Sequence, residues 1–315
     1  MSPLISVIMP VYNAESYIEE AIACIIRQTY SNWELLIIND GSTDNSLQLA
    51  QGYSSEKIKV HSIENSGQCA ANNFGYRLAI GEYIKFFDAD DLLSPNLLEE
   101  QVVALNRSQT AISSCSWGRF YNDDIATFKL SPEACWKNME PVEWICSSWM
   151  KGEPMMQCAL WLIPRKILEK SGLWNEKLSL INDFEFFTRV ILAASEVRFA
   201  ANATLYYRSG VKNSLSAKTT RRAVESAVLS AQLAVDTLLK KQENATTRRV
   251  AANCLINLAY QYALDYPDLL KPIEQRVKSL GGSSLPYRGG HATTLLAKLL
   301  GWKTTQKLQR LYRKK

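Results

Sequence analysis

The chain is predicted to adopt an α/β fold, a mostly parallel central sheet flanked by helices, with a helical C-terminal extension. Three observations predict it. Four short apolar runs alternate with three amphipathic stretches inside the first ninety residues, the pattern of successive βαβ units. Each run ends in a polar loop, so four such loops share one rim, the carboxyl end where open α/β sheets bind ligands. From Thr219 onward the strand signal vanishes and Ala223, Ala227, Ala231, Val235 and Leu238 recur at helical spacing.

The elements follow in order. Ile5-Ser6-Val7-Ile8-Met9-Pro10 reads as a first buried strand stopped by proline, and Val11, Tyr12 and Asn13 form its loop. Ser16-x-x-Glu19 has the form of a capping box, with Ile18, Ala21, Ile22, Ile25 and Ile26 on one helical face behind it. A second strand runs from Trp33 to Ile38. The turn Asn39 to Asp44 then leads into a helix through Leu47 and Ala50, with Asp44 placed to cap it. The third strand, Ile58 to Ile63, is followed by Asn65-Ser66-Gly67 and a helix carrying Ala70, Ala71, Phe74 and Leu78, closed by Gly81. Tyr83 to Phe87 is the fourth strand. Beyond it, Ser94-Pro95 opens a helix, Ala111 to Phe120 is a long strand, and 121–157 is irregular. Cys158 to Ile163 reads as another buried strand, Pro164 opens a short helix, and Phe184, Phe187, Val190 and Ile191 line one face of the next. Glu196 to Arg208 reads as two short strands.

Composition narrows the classes of function. The 315 residues are 47% hydrophobic, enough for a sizeable core. Seven cysteines, an odd number without a Cys-x-x-Cys pair, argue against a disulfide framework or zinc site and for a reducing compartment. With neither a signal peptide nor a run of about 18 apolar residues, a cytoplasmic protein is expected. The net charge of +5 is unevenly spread. From Lys271 on there are eleven basic residues and one acid, whereas the remainder carries 25 basic and 30 acidic residues. An acidic body is not expected to bind nucleic acid. The basic end, 292–315, interleaves Leu295, Leu296, Leu299, Leu300, Trp302, Leu308 and Leu311 with lysines and arginines. Two placements fit it: on the anionic inner face of a membrane, or packed on the body with a frayed basic end.

The chemistry concentrates in Asp88-Ala89-Asp90-Asp91, where the fourth strand runs into three carboxylates. In the turn that must follow, Asp88 and Asp90 can converge on one hard cation, Mg²⁺ or Mn²⁺, which takes oxygen ligands. A solvated acidic turn is the alternative. Asp183, at the start of a helix, fits either an N-cap or a base held ionised by the helix end.

Taken together, Pro10-Val11-Tyr12-Asn13, Asn39-Asp40-Gly41-Ser42-Thr43-Asp44, Asn65-Ser66-Gly67 with Asn73 and Gly75, Gly81-Glu82-Tyr83, Asp88-Ala89-Asp90-Asp91, Gly172-Leu173-Trp174-Asn175-Glu176 and Asn182-Asp183 resemble the family 2 glycosyltransferases of GT-A fold. The resemblance covers about residues 1–212, leaving 213–315 as the extension. It implies an inverting transfer from a nucleotide sugar to a glycan, lipid-linked or small hydroxyl acceptor, with Mn²⁺ or Mg²⁺. Pro10 and Tyr12 would line the nucleoside pocket, Asp40 would accept from the N3–H of a uridine, Asp88 would face the ribose, and Asp90 would ligate the cation. Asp183 falls where the general base stands. Trp174, Asn182 and Arg208 fall near the donor sugar, acceptor or diphosphate, although Trp174 also suits a plain core position; Ser214 and Ser216 belong to the same late segment. Three positions depart from the pattern: Asn39 before Asp40, Asn72 where an arginine commonly stands, and Asn182 for a glutamate. A nucleotidyltransferase would show a glycine-rich loop after the first strand, which Pro10-Val11-Tyr12-Asn13 lacks. A non-catalytic binding protein of the same fold would not need both Asp90 and Asp183.

Overall fold

The computed structural model describes residues 2–210 and 219–313. Its first sheet has the order β3-β2-β1-β4-β8. Strands β1 (Ile5–Val11), β2 (Trp33–Asp40), β3 (Ile58–Ile63) and β4 (Tyr83–Phe86) are mutually parallel, while β8 (Ile163–Pro164) closes the edge antiparallel to β4. All residues of β1, β2 and β4 are buried, as continuous apolar strands covered on both faces should be. The crossovers are α1 (Ile18–Ile26), α2 (Ser46–Gln51) and α3 (Gln68–Leu78). Helix α3 lies so close to the sheet that a Cβ on Gly75 would stand 2.5 Å from Ile8 Cγ2. The capping box expected at Ser16 and Glu19 is not formed. Tyr17 is the cap residue without a side-chain bond, because Ala14 O already takes the N–H groups of Tyr17 and Ile18.

The second sheet, order β5-β9-β6-β7, consists of β5 (Leu92–Leu93), β6 (Ala111–Tyr121), β7 (Asp124–Leu130) and β9 (Glu196–Ser209). Helix α4 (Leu97–Leu105) packs against it. Glu196 to Arg208 is one strand, not two, since it follows β6 in parallel register across a bulge at Cys115/Ser116. The irregular reading of 121–157 also gives way: β7 returns from β6 through Asn122 and Asp123, both at positive φ, and α5 spans Pro141–Trp149. Cys158 to Leu160 is a 3₁₀ turn rather than a strand, held by groups described below.

Helices α6 (Arg165–Ser171) and α7 (Asn182–Ala193) complete the body, and α8 (Arg221–Lys241), α9 (Ala245–Tyr262) and α10 (Pro267–Ser279) pack on it. Ser226 and Ser230 of α8 donate hydroxyls to Leu180 O and Ile181 O, and apolar residues of α8–α10 join the same buried cluster as the sheets. The expected boundary at 212/213, with Ser214 and Ser216, lies outside the described residues. Helices α11 (His291–Leu300) and α12 (Trp302–Arg313) form a final hairpin. Among the described residues no helix is long and apolar enough to cross a membrane.

Candidate active site

The carboxyl ends of β1, β2, β3 and β4 meet at one rim, and the loops there are tied together. Asn13, in the left-handed region, accepts the Thr43 N–H at Oδ1 (2.8 Å), while its own N–H goes to Ser42 Oγ. Asp44 accepts from Ser46 N–H and from Glu15 N–H, which anchors α2 to the first loop. Pro10 is buried opposite Ile38, and Tyr12 stands 52% exposed at the mouth.

Asp40, at the tip of β2, accepts the Ser66 N–H at Oδ1 (2.7 Å) and the Gly67 N–H at Oδ2 (2.9 Å). Those N–H groups belong to the turn that leads into α3, whose cap residue Gly67 has φ +90°, a conformation reserved for glycine. Asp40 thus pins the entry to the helix that follows the third strand.

The three carboxylates gather where the sequence puts them, on the loop joining β4 to β5. Ligand oxygens of Asp88, Asp90 and Asp91 lie within 4.8 Å of one another. Two glutamines that sequence reasoning passed over hold them. Gln68 Nε2 donates to Asp88 Oδ1 (2.8 Å), and Gln157 Nε2 donates to both Asp88 Oδ2 (3.1 Å) and Asp91 Oδ2 (2.7 Å). Gln157 Oε1 accepts the Ala159 N–H at 2.6 Å, which fixes the orientation of the amide. Behind it Lys85, fully buried, donates to Ala159 O (2.7 Å), Trp161 O (3.3 Å) and Gln101 Oε1 (2.9 Å), and Gln101 Nε2 donates to Leu160 O. These bonds coil 158–160 into the 3₁₀ turn. Burial pushes Lys85 down to about 8.

Burial and mutual repulsion in the cluster outweigh the Arg208 charge, which lowers Asp90 and Asp91. Burial raises Asp88 against its bonds from Cys158, Gln157 and Gln68. Burial and then the Asp88 charge push Asp90 up to about 6, and burial with both neighbours pushes Asp91 well above the carboxylate range. Hard oxygen donors in one small space, destabilised by their own repulsion, fit a divalent cation.

Asp183 lies in the first turn of α7, and its N–H is taken by Asn182 Oδ1 (2.9 Å). The cap residue is Ile181, in the left-handed region, so Asp183 is not the N-cap. Burial and then the Asp88 charge raise Asp183 well above the carboxylate range, opposing the helix end that favours its ionised form. Asn182 Nδ2 donates to Gln68 Oε1 (3.0 Å) and Cys69 Sγ. One chain of bonds therefore runs from Asn182 through Gln68 and Asp88 to Gln157 and Asp91.

Arg208 is 5% exposed and committed to the protein. It donates to Asp90 O (2.6 Å), Glu20 (2.6 Å) and Asp123 (2.8 Å), lies over Tyr17 and Phe120, and offers its N–H to Asp91 Oδ1 (2.8 Å). Its guanidinium thus ties the carboxylate loop to α1 and to the β6–β7 turn. Trp174, 4% exposed, stacks on Phe186 at 3.9 Å and meets Phe86 edge-on, so it takes the core alternative. Asn73 holds the loop around it, accepting the Trp174 N–H and donating to Trp174 O and Glu176. Asn72 is fully buried, and both its polar side-chain atoms lack a partner among the described residues.

Residues 6–172, over half the chain, match the model of "Glycosyl transferase family 2". The chain belongs to glycosyltransferase family 2. An uncharacterised glycosyltransferase of Rickettsia typhi is 32% identical over 196 residues, covering 62% of this chain and 60% of that one. One of Haemophilus influenzae is 43% identical over 103 residues, covering 32% and 41%. The chain thus spans less than two thirds of these family 2 relatives. Staphylococcus aureus TarS 1–349, solved with UDP-GlcNAc, superimposes with a TM-score of 0.72 at 17% identity, over 98% of this chain and 91% of that one. The fold is GT-A, and the helices α8–α12 fall within the superimposed region.

Proposed function

We propose that this protein is a metal-dependent, inverting glycosyltransferase that moves a sugar from a UDP-linked donor to a hydroxyl of a glycan, lipid-linked or small acceptor. We place it at the cytoplasmic face of the cell membrane, in the synthesis of cell-surface glycan. The observation that carries the reading is the Asp88, Asp90 and Asp91 cluster on the carboxyl rim, linked through Gln68 to Asn182, the residue before Asp183. TarS, of the same fold, binds UDP and UDP-GlcNAc, which supports UDP as the donor nucleotide.

Asp90 would hold Mn²⁺ or Mg²⁺, which when bound supplies electrostatic stabilisation of the departing diphosphate. The remaining work belongs to the chain. Pro10 and Tyr12 receive the nucleoside; Asp40 accepts from the base N3–H with lone pairs not used by Ser66 and Gly67; Asp88 faces the ribose. Asp183 takes the proton of the acceptor hydroxyl as that oxygen attacks C1 from the face opposite the diphosphate. The C1–O bond to the acceptor forms, the bond to phosphate breaks, and the electron pair leaves on the diphosphate. A base so placed contributes about 10²- to 10⁴-fold. Trp174, Asn182 and Arg208 serve indirectly, by packing the loop, orienting Gln68 and holding the carboxylate loop.

The test is thermal stability with UDP-, GDP- and dTDP-sugars, each with Mn²⁺, Mg²⁺ or EDTA, on wild type and Asp90→Asn. A ligand at about 100 Kd adds about 2.7 kcal/mol to the folded state. The expected outcome is a metal-dependent rise with a UDP-sugar that Asp90→Asn abolishes. No rise with any nucleotide sugar would sink the reading.

A further inference from the structure

The terminal hairpin answers the question its sequence left open, because one of its two helices is packed and the other is not. Helix α12 is anchored. Trp302 meets the Tyr260 ring at 5.0 Å, Thr305 is fully buried, and Gln306 Nε2 donates to Tyr260 O (2.7 Å). Lys303 pairs with Glu274 (2.6 Å), and Arg310 pairs with Asp265. Helix α11 is tied to α12 through Gln309, which donates to Thr293 Oγ1 (2.9 Å). Its leucines are not covered. Leu295, Leu296, Leu299 and Leu300 are 58, 40, 73 and 50% exposed, and their spacing puts them on one side of the helix.

We propose that this hairpin docks the protein on an anionic lipid surface, the α11 leucines entering the headgroup boundary and the lysines meeting lipid phosphates. Charge selects this occupant over a second copy of the chain. Residues 288–315 carry eight Lys or Arg and no Asp or Glu, so two such hairpins face to face would repel. Lys298 and Lys307 form no ion pair among the described residues, which leaves them for lipid. An interfacial helix needs this combination: an apolar stripe, flanking cations and too little length to span. The inference specifies the membrane partner of the proposed function without resting on the transfer chemistry, since lipid binding and donor binding are read separately.

The experiment is flotation of the full chain with vesicles of phosphatidylcholine, alone or mixed with phosphatidylglycerol, at low and high salt. Two variants accompany it: Leu295→Ser with Leu299→Ser, and Lys298→Glu with Lys307→Glu. The wild type is expected to float with the anionic vesicles and not with phosphatidylcholine alone. Each variant should lose partitioning about tenfold, with the thermal midpoint unchanged because every altered side chain is exposed. Three results would overturn the proposal: no flotation on anionic vesicles, equal flotation on both vesicle types, or flotation unaffected by the leucine changes. A concentration-dependent dimer, seen by light scattering and abolished by the leucine variant, would assign the face to a second copy instead.

Discussion

Asp88 and Asp91 share the amide of Gln157, and Asp88 also has Gln68, but no residue donates a side-chain hydrogen bond to Asp90 among the described residues. That asymmetry gives Asp90 a measurable signature. Its ordinary value of 3.8 rises to about 6 in the fold through burial and the Asp88 charge. The folded chain therefore holds the proton more tightly than the unfolded chain, and ionisation opposes folding. The penalty is absent below 3.8, grows through the interval up to about 6, and is complete above it. Metal-free Asp90→Asn is expected to melt a few degrees above wild type near about pH 8 and to lose that advantage near about pH 4. Melting curves in EDTA across pH check this; an advantage independent of pH would mean that the carboxylate charge is not the cause. The acids themselves were legible in the sequence because they stand together at the end of an apolar strand. Gln157 was not, because its acidic partners are 66 and 69 residues away in the chain and nothing local marks it.

At the scale of elements, Asp40 and α3 show a side chain with two employments. Its carboxylate closes two N–H groups in the turn that leads into α3, so Asp40→Ala should weaken the fold before any nucleotide is added. Leaving those donors bare costs about 1–3 kcal/mol, read as a lower urea midpoint of the ligand-free protein. An unchanged midpoint with lost UDP binding would instead make Asp40 a ligand contact alone. The four parallel strands and their helices were legible, since each carries its own hydrophobic period. The β6–β7 hairpin was overlooked although Asn122-Asp123, both at positive φ, is the type of pair such a tight turn needs. Cys158 to Ile163 misled for another reason. A continuous apolar run shows that a segment is buried, not which backbone it takes, and here Lys85 and Gln101 choose the turn.

For the whole molecule, the extension was legible as helical but not as part of the core. Its alanine-rich faces do not reveal what they cover. In the structure α8 lies on α7, α9 on α5, and Asn253 donates to Met150 O (2.7 Å). A chain ending at Gly210 is therefore expected to lose its cooperative melting transition, because the surfaces of α5 and α7 would face water. Circular dichroism of that shortened protein decides it, and a transition like that of the full chain would show the body to be self-sufficient. One further consequence lies in the loop that bears the acids. It leaves the first sheet at β4 and enters the second at β5, which pairs with β9, the strand of Arg208. The acids thus sit on the seam between two sheets, and their spacing is also a measure of how those sheets are docked. By thermodynamic reciprocity, whatever draws the carboxylates together stiffens the seam, and whatever loosens the seam slackens the grip.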